Sequence, residues 1–386
     1  MREPLVARMR EFGTTVFATM TRLAVETGSI NLGQGFPDTD GPEEMLERAV
    51  EAIRGGFNQY PPGPGVPELR HAVSEHQKDG YGLDYDPDGE VLVTVGATEA
   101  IAAAVLALCE PGDEVIVFEP YYDSYAAAIA LAGAVRVPVP LRVDAGRFTF
   151  DPGELAAAVS PRTRAILVNS PHNPTGTVFT RAELAAIADL CEARDLIAIT
   201  DEVYEHLTFD GVEHLPLATF PGMRERTVTI SSAGKTFSVT GWKVGWVCAP
   251  YAMVSAVQAV KQFMTFTSSA PWQLAVAYGL RHDMEWVASQ RASLSAKRDR
   301  LMVGLAASGF EVLRPAGTYF IQADIRPLGF DDGLAFARRL PERAGVVAIP
   351  TQVFYDHPEY GARYVRFAFC KRDDVIDEAV ERLKRL

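Results

Sequence analysis

Residues able to act as acids or nucleophiles follow several apolar runs of this sequence. The run that ends at Thr200 is followed by Asp201, and the run that ends at Ser231 is followed, after three small residues, by Lys235. A carboxylate can pair with a buried cation, and a lysine amine becomes nucleophilic when desolvation lowers its pKa. Each residue also has a plainer interpretation, because Asp201 could equally cap a helix and lysine is most often a solvated surface residue.

A third apolar run leads into a turn suited to an anion. Val91–Val95 is followed by Gly96, Ala97 and Thr98, directly ahead of a helical stretch. Exposed N–H groups and the dipole at a helix start favour a phosphate, and Thr98 adds a hydroxyl donor. Lys243, close to Lys235 in the chain, supplies a second amine that could bind the same anion. By itself the turn suits a plain helix start at least as well.

The elements that must position these residues alternate between apolar β runs and helical stretches. The β runs are Val91–Val95, Glu114–Phe118, Ala165–Asn169, Leu196–Thr200, Thr227–Ser231 and Val244–Cys248. Their continuous apolar character is typical of strands that are covered on both faces, and the alternation predicts an α/β fold with a mostly parallel, doubly wound sheet. Ligands of such sheets bind beyond the carboxyl ends of the strands. The polar residues at four successive strand ends are therefore expected to meet in one site.

Helix starts and a change of pattern divide the chain. Thr180 with Glu183 forms a capping-box pattern, Asp151 before Pro152 opens another helix, and Thr98 or Gly96 is expected to cap the Glu99 run. A length of 386 residues favours two domains. From about residue 284 the pattern resembles a separate α+β unit. We expect an N-terminal arm that joins the small domain (1–45), a large domain (46–283) and a small C-terminal domain (284–386).

Composition excludes several classes of partner. The formal net charge of −13 disfavours nucleic acid and anionic membranes. The four cysteines (Cys109, Cys191, Cys248 and Cys370) are far apart, so neither a disulfide framework nor a metal site is expected. The first twelve residues contain no apolar core of a signal peptide, and no apolar stretch is long enough for a membrane helix. A cytoplasmic location is the expectation.

Several motifs together resemble class I aminotransferases, the fold type I enzymes that depend on pyridoxal 5′-phosphate (PLP). The motifs span nearly the whole chain in the family's order: Asn31–Asp38, Asn58–Tyr60, Asn169–Gly176, Asp201–Tyr204, Ser231–Trp246 and Tyr364–Phe367. This resemblance implies an enzyme that moves an amino group between an amino acid and a 2-oxo acid. It also implies a large PLP-binding domain and a small domain built from both chain ends.

The resemblance implies a role for each motif residue that contacts the cofactor. Lys235 would hold PLP covalently and move the substrate proton, and Asp201 would pair with the protonated ring nitrogen. Asn173 and Tyr204 would bind the phenolic oxygen, and Tyr122 would stack on the ring. The phosphate would be held by Ala97, Thr98, Ser232 and Lys243. Tyr122 could instead belong to the core. His172 and Glu202 are interpreted as structural neighbours, since Lys235 already supplies acid–base chemistry.

Substrate and partner contacts follow from the same resemblance. Arg366 would clamp the substrate α-carboxylate in a bidentate fork, helped by Asn173 and the backbone of Gly35. A guanidinium in an apolar strand would otherwise be costly to bury. Tyr60 would reach the phosphate of a neighbouring subunit, which implies a homodimer with shared sites, although it could be an ordinary loop aromatic.

Three functional hypotheses remain open at this point. The sequence is similar to the N-succinyldiaminopimelate aminotransferases of actinobacteria, which implies transfer between N-succinyl-LL-2,6-diaminopimelate and 2-oxoglutarate in lysine biosynthesis. The second hypothesis is a kynurenine, glutamine or methionine aminotransferase, or a C–S β-lyase. Phe17 and Phe266 replace groups common in that branch and would leave a roomier, more polar substrate pocket. The third is a non-catalytic PLP-binding regulatory module.

Overall fold

The computed structural model describes residues 3–13 and 15–386. Met1, Arg2 and Thr14 lie outside the described residues, and so does the part of the signal-peptide expectation that falls on the first two. The strands are β1 Ile30–Asn31, β2 Val91–Thr94, β3 Glu114–Glu119, β4 Val135–Pro140, β5 Arg142–Asp144, β6 Arg147–Thr149, β7 Thr163–Asn169, β8 Ile197–Asp201, β9 Thr227–Ser232, β10 Gly245–Cys248, β11 Glu311–Leu313, β12 Phe320–Asp324, β13 Val346–Val347, β14 Ile349–Pro350 and β15 Tyr364–Ala368. The helices are α1 Val16–Thr27, α2 Glu43–Arg54, α3 Pro67–Tyr81, α4 Gly96–Leu108, α5 Asp123–Ala132, α6 Pro152–Ala157, α7 Arg181–Arg194, α8 Ala233–Thr236, α9 Tyr251–Lys261, α10 Ala270–His282, α11 Met284–Ala307, α12 Gly333–Ala344 and α13 Asp373–Leu383.

Seven strands within the described ranges form the central sheet, in the order β2-β10-β9-β8-β7-β3-β4. The pairs β9–β8, β8–β7, β7–β3 and β3–β4 are parallel, whereas β10 runs antiparallel to both of its neighbours. Both faces are covered: Val115 and Val117 of β3 pack in one apolar cluster, and Ile116 and Phe118 pack in another on the opposite face. The prediction of a mostly parallel, doubly wound α/β sheet is confirmed.

Most predicted strands lie within one or two residues of the observed ones, but one predicted helix cap is wrong and one strand was not predicted. The cap predicted at Thr98 or Gly96 is wrong, because α4 already begins at Gly96. The Glu99 carboxylate accepts a 2.6 Å hydrogen bond from the N–H of Val95, which closes the first turn earlier. Sequence reasoning also missed β4, whose prolines Pro138 and Pro140 are tolerated at the edge of the sheet.

Two other predicted helix starts are confirmed. Thr180 and Glu183 form the complete capping box at the start of α7. The side chain of Asp151 accepts from the N–H groups of Gly153 and Glu154 at the start of α6. Both starts follow from short polar side chains that satisfy helix N–H groups otherwise left without partners.

A second, antiparallel sheet of order β11-β12-β15-β14 lies in the last quarter of the chain, beside α11, α12 and α13. The N-terminal strand β1 pairs in parallel with β13 of this part. This pairing is consistent with an arm that joins the small domain, while the boundaries at residues 45 and 283 stay a prediction. Within the described ranges, none of the helices has the length and apolar character to cross a membrane.

Candidate active site

A cavity of about 330 Å³ lies beyond the carboxyl ends of β2, β7, β8 and β9. Most of the predicted site residues line it: Phe17, Gly35, Ala97, Thr98, Tyr122, Asn173, Asp201, Tyr204, Ser232, Lys235, Lys243 and Arg366. Residues far apart in sequence meet here because parallel strands end at the same edge of the sheet. The expectation that the polar strand ends converge is met.

Asp201 is the last residue of β8 and is buried, with 5% of its surface exposed. Its Oδ2 accepts a 2.5 Å hydrogen bond from the hydroxyl of Tyr125, and its Oδ1 accepts from the N–H of Val203 at 3.3 Å. Burial raises the pKa of Asp201, while these hydrogen bonds and the charge of Lys235 oppose the rise. A cation placed in the cavity beside this carboxylate would therefore be strongly favoured.

Lys235 lies in the short helix α8, which directly follows β9. Its Nζ is 3.5 Å from the carbonyl oxygen of Gly35 and lies 5.8 Å from the ring centre of Tyr204. Burial, with the nearby positive charges of Lys243 and Arg366, lowers the pKa of Lys235 to about 8. The amine is thus neutral, and nucleophilic, at a much lower pH than a solvated lysine.

The start of α4 forms a surface suited to bind an anion. β10 pairs with both β2 and β9, so that Gly245 lies opposite Thr94 on one side and Ser232 on the other. A side-chain carbon at Gly245 would lie 2.9 Å from the backbone nitrogen of Ala97, so glycine permits this close approach. The Nζ of Lys243 reaches the same turn, 3.2 Å from where a Cβ of Gly96 would lie. Helix N–H groups, a serine and an amine therefore converge, which suits a phosphate.

Asn169 connects the two loops that carry polar groups into the cavity. It lies opposite Asp201 in the paired strands β7 and β8. Its Nδ2 donates to the carbonyl of Asp201 at 2.8 Å, and its Oδ1 accepts from the N–H of Asn173 at 2.7 Å. Tyr204 is held by edge-on packing against the ring of Tyr319, with ring centres 5.3 Å apart.

Arg366 lies in the middle of β15 and is 1% exposed. Its Nη1 donates to Oδ1 of Asn173 and its Nη2 donates to the carbonyl of Gly33, both at 2.9 Å. Its Nε is buried without a hydrogen-bond partner among the described residues. Burial lowers the pKa of Arg366 to about 10. Among the described residues its bonds go to neutral oxygens, and a buried guanidinium of this kind is suited to bind a carboxylate.

Aromatic rings hold that guanidinium in place. The ring centre of Phe320 lies 3.9 Å from Cζ of Arg366, and that of Phe17 lies 5.3 Å from it. Gly35 makes room for Phe320, because a Cβ at this position would lie 2.4 Å from Cζ of the ring. The carbonyl of Gly35 also accepts a 2.6 Å hydrogen bond from the hydroxyl of Tyr319.

Tyr60 and Phe266 do not line the cavity of their own chain. Their rings contact each other at 5.3 Å, and they are 82% and 52% exposed. His172 is buried beside Thr175, and burial lowers its pKa to about 3, so it is neutral. Glu202 accepts from His214 and Thr200, each at 2.8 Å. The contact of His172 with Thr175 and the two contacts of Glu202 fit the structural roles expected for these residues.

Sequence reasoning missed four residues around the site: Gln34, Tyr125, Tyr319 and Phe320. Tyr125 follows Tyr122 by three residues in the first turn of α5, and that spacing could have indicated that both point toward the same strand ends. Phe320 begins β12, the neighbour of β15, and pairs with Ala368, two residues after Arg366. No local signal marks Gln34 or Tyr319.

The groups that line the cavity are those of a particular class of enzyme. PLP is held by three groups: a desolvated lysine, a buried acid and an anion-binding helix start. All three meet here in one cavity large enough for a small cofactor. The unsatisfied Arg366 adds a carboxylate site next to them. The residues present therefore fit PLP and an amino acid.

Similarity to known proteins supports the same class of enzyme. Residues 27–383 match the family described as aminotransferase class I and II, and the chain belongs to that family. It is 55% identical, over 99% of its length and 98% of the relative's, to the probable N-succinyldiaminopimelate aminotransferase DapC of Mycobacterium tuberculosis. It is 40% identical to the methionine aminotransferase of Escherichia coli, over 99% of each chain.

Similarity to a solved structure supports the same family. The solved structure of N-succinyldiaminopimelate aminotransferase from Mycobacterium tuberculosis superposes with a TM-score of 0.97 at 56% identity, covering 98% of this chain and 99% of that one. The protein is therefore a PLP-dependent aminotransferase of fold type I, which moves an amino group between an amino acid and a 2-oxo acid. The hypothesis of a non-catalytic regulatory module is set aside.

Proposed function

We propose that this aminotransferase exchanges the amino group of N-succinyl-LL-2,6-diaminopimelate with 2-oxoglutarate, and so acts in lysine biosynthesis. The observation that carries the proposal is the 55% identity over nearly the full length to the mycobacterial relative of that name, against 40% to the methionine aminotransferase.

The pocket around Arg366 supports a long substrate. The substrate α-carboxylate binds the guanidinium of Arg366, which lines the cavity. The rest of the substrate passes the ring of Phe17 and the amide of Gln34, both of which line the cavity. Gln34 is oriented by a hydrogen bond from its Nε2 to Thr21. The methylene chain of this substrate can pack on the ring of Phe17, and the polar groups at its far end can hydrogen-bond the amide of Gln34.

The roles of the cofactor residues belong to the same proposal. Bound PLP supplies an electron sink for the charge left when the substrate Cα loses its proton. Lys235 holds the cofactor through Nζ, and the same nitrogen takes and returns the Cα proton. Asp201, ionised, keeps the ring nitrogen protonated, and Asn173 and Tyr204 donate to the phenolic oxygen. Tyr122 covers one face of the ring.

The phosphate group is the anchor of the cofactor in this scheme. The N–H groups of Ala97 and Thr98 and the hydroxyls of Thr98 and Ser232 donate to it, and Lys243 neutralises its charge. All of these groups lie at the start of α4 or beside it. A phosphate anchored at this helix start would hold the cofactor in the cavity that Asp201 lines, so the protein's main contribution would be orientation.

We also propose a homodimer in which Tyr60 reaches the neighbouring site. The loops at residues 57–63 and 262–268 lie together, joined by hydrogen bonds from Lys261 Nζ to the carbonyls of Gly63 and Phe266. They expose large apolar side chains, among them Phe57, Tyr60, Phe263, Met264 and Phe266. An exposed patch of this kind marks an interaction surface. Sedimentation velocity of the purified protein tests this, and a monomer at micromolar concentration contradicts it.

The expected cytoplasmic location is kept as part of the proposal. Its support is chemical, because Cys109, Cys191, Cys248 and Cys370 are all buried free thiols. Free thiols in every position suit a reducing compartment. Fractionation of the producing cells, with the chain detected by antibody, tests it.

A scan of half-reactions tests the substrate. The purified, PLP-loaded protein is mixed with single amino donors, and the change in cofactor absorbance is followed for each. N-succinyl-LL-2,6-diaminopimelate and glutamate are expected to react with the highest kcat/KM. A clear preference for methionine, kynurenine or glutamine would replace the proposed substrate with the alternative branch, which the methionine aminotransferase relative represents. Release of pyruvate and a thiol from cysteine conjugates would indicate the β-lyase.

A further inference from the structure

A second group of chemically capable residues lies behind the segment that carries Asp201 and Tyr204. His76 of α3, Glu205 and His206 line a cavity of about 1150 Å³ that is separate from the cofactor cavity. Their ligand atoms all lie within 4.8 Å of one another. Neither the proposed transamination nor the cofactor needs these residues, so the cluster requires its own explanation.

The distances are close to those of a metal coordination shell. The Nε2 of His76 lies 3.2 Å from Oε2 of Glu205, and the Nε2 of His206 lies 3.9 Å from the same oxygen. Two ligand atoms that share a tetrahedral Zn²⁺ at about 2.1 Å are about 3.4 Å apart. The two separations that involve Glu205 lie on either side of this value, and all three ligand atoms lie within 4.8 Å of one another.

A hydrogen-bond network alone does not account for the cluster. Hydrogen bonds explain the placement of Glu205 and His76: Oε2 of Glu205 accepts from Tyr81 at 2.7 Å and lies 3.2 Å from Nε2 of His76, and Oε1 accepts from Ser231 at 2.5 Å. Yet Nε2 of His206 is buried and, among the described residues, has no hydrogen-bond partner. An unsatisfied buried nitrogen is costly, and here it lies beside a carboxylate and a second imidazole.

We propose that His76, Glu205 and His206 bind a divalent transition-metal ion, with Zn²⁺ the best match. Two imidazoles and one carboxylate suit Zn²⁺ and its neighbours, whereas Mg²⁺ and Ca²⁺ prefer sites made of oxygen atoms only. Three protein ligands leave a fourth position of a tetrahedral site open, and the three residues line a cavity from which water can reach it.

The ion acts as a clamp between α3 and the segment after β8. His76 belongs to α3, while Glu205 and His206 directly follow Tyr204. The other oxygen of Glu205 is bonded to Ser231, the neighbour of Ser232 in β9. A metal at this point therefore connects α3 to the backbone that directly follows Tyr204. Its expected effect is a more stable protein, without participation in amino transfer.

Metal binding to the PLP-loaded protein, stripped first with a chelator, tests the proposal. Titration calorimetry with Zn²⁺ is expected to give one site per chain, and Zn²⁺ is expected to raise Tm. His76→Gln and His206→Gln are each expected to weaken binding by about 100-fold or more and to abolish the rise in Tm. His71→Gln is the matched control, because His71 lies exposed on the same helix and outside the cluster.

Co²⁺ substitution identifies the ligands independently. Ligand-field absorption without a thiolate charge-transfer band is expected for nitrogen and oxygen ligands, and it should disappear in His76→Gln. Cofactor absorbance shows that each variant is folded, and His76→Gln, on α3, serves if His206→Gln does not load PLP. The proposal is overturned by the absence of Zn²⁺ binding, by binding that both histidine variants retain, or by a thiolate band that assigns the metal to cysteine.

Discussion

The hydroxyl of Tyr125 donates a 2.5 Å hydrogen bond to Oδ2 of Asp201, across 76 residues of sequence. Both groups are buried, and Tyr125 is the only side chain among the described residues whose hydrogen bond to that carboxylate is found. A donor at this point favours the ionised form of Asp201, which burial disfavours. Tyr125 is thus a positioning residue for the acid that we propose pairs with the cofactor ring.

Tyr125→Phe is expected to weaken PLP affinity by about 10-fold, since a hydrogen bond to a charged group contributes about 1.5–3 kcal/mol. Without the hydroxyl the pKa of Asp201 rises further, so Asp201 becomes protonated at a higher pH as the solution is acidified. The acid limb of PLP affinity should therefore move to higher pH. Equilibrium dialysis of PLP across a pH series measures both effects. The neighbouring Tyr121→Phe is the control, and an unshifted acid limb in Tyr125→Phe would contradict this role.

Lys235 should leave a pH signature in the stability of the PLP-free protein. Its pKa is lowered to about 8 in the folded state, whereas an unfolded lysine titrates near 10.4. Between these values the unfolded chain binds more protons, so the free energy of unfolding rises with pH. Below about pH 8 both states are protonated, and the cost of the buried charge is fully present.

Lys235→Met removes this cost and should be more stable than the wild-type apo protein at neutral pH. The advantage should shrink as the pH rises from about 8 toward 10.4. Urea unfolding at several pH values measures the difference. Lys384→Met, at an exposed lysine after the last helix, should show no such trend. A difference for Lys235→Met that is constant over this range would argue against a lowered pKa.

The sequence identifies most of the site because strand ends converge. Asp201 and Lys235 each follow a continuous apolar run, and the rule that parallel strands end at one edge brings them together without knowledge of contacts. Arg366 is found because a charged residue in an apolar strand needs a partner. These signals are local, and the family resemblance supplied the role of each residue.

Sequence reasoning does not find Tyr125, Tyr319 or the cluster around Glu205, because no local signal of this kind marks these residues. Each depends on a contact between distant parts of the chain, such as His76 with Glu205, 129 residues apart. Neither partner has a spacing that marks it in the sequence. The search for metal ligands followed cysteine spacing, and so it could not detect two histidines and a glutamate from separate elements. The start of α4 was misplaced because Glu99 satisfies the backbone of Val95, which a cap rule does not consider.

Gly35→Ala should damage substrate binding without unfolding the protein. The new Cβ would lie 2.4 Å from Cζ of Phe320, so the ring must move, and with it the surface that supports Arg366. We expect kcat/KM for the amino donor to fall on the order of 10- to 100-fold, mainly through KM, because displaced positioning groups cost about this much. Gly241→Ala is the control, since no atom of the described residues lies within 4 Å of its Cβ position. Equal kinetics in the two variants would show that Phe320 does not support the site.

Arg366→Lys should separate carboxylate binding from cofactor binding. The guanidinium already donates to Asn173 and Gly33, whereas a single ammonium cannot bond both oxygens and also hold a carboxylate in a fork. We expect kcat/KM for every amino donor to fall by about 100-fold or more, with PLP absorbance retained. Steady-state kinetics with absorbance spectra measures this, and Arg338→Lys, at an exposed arginine of α12, should leave kinetics unchanged. A variant that keeps its KM for the donor would mean that the α-carboxylate binds elsewhere.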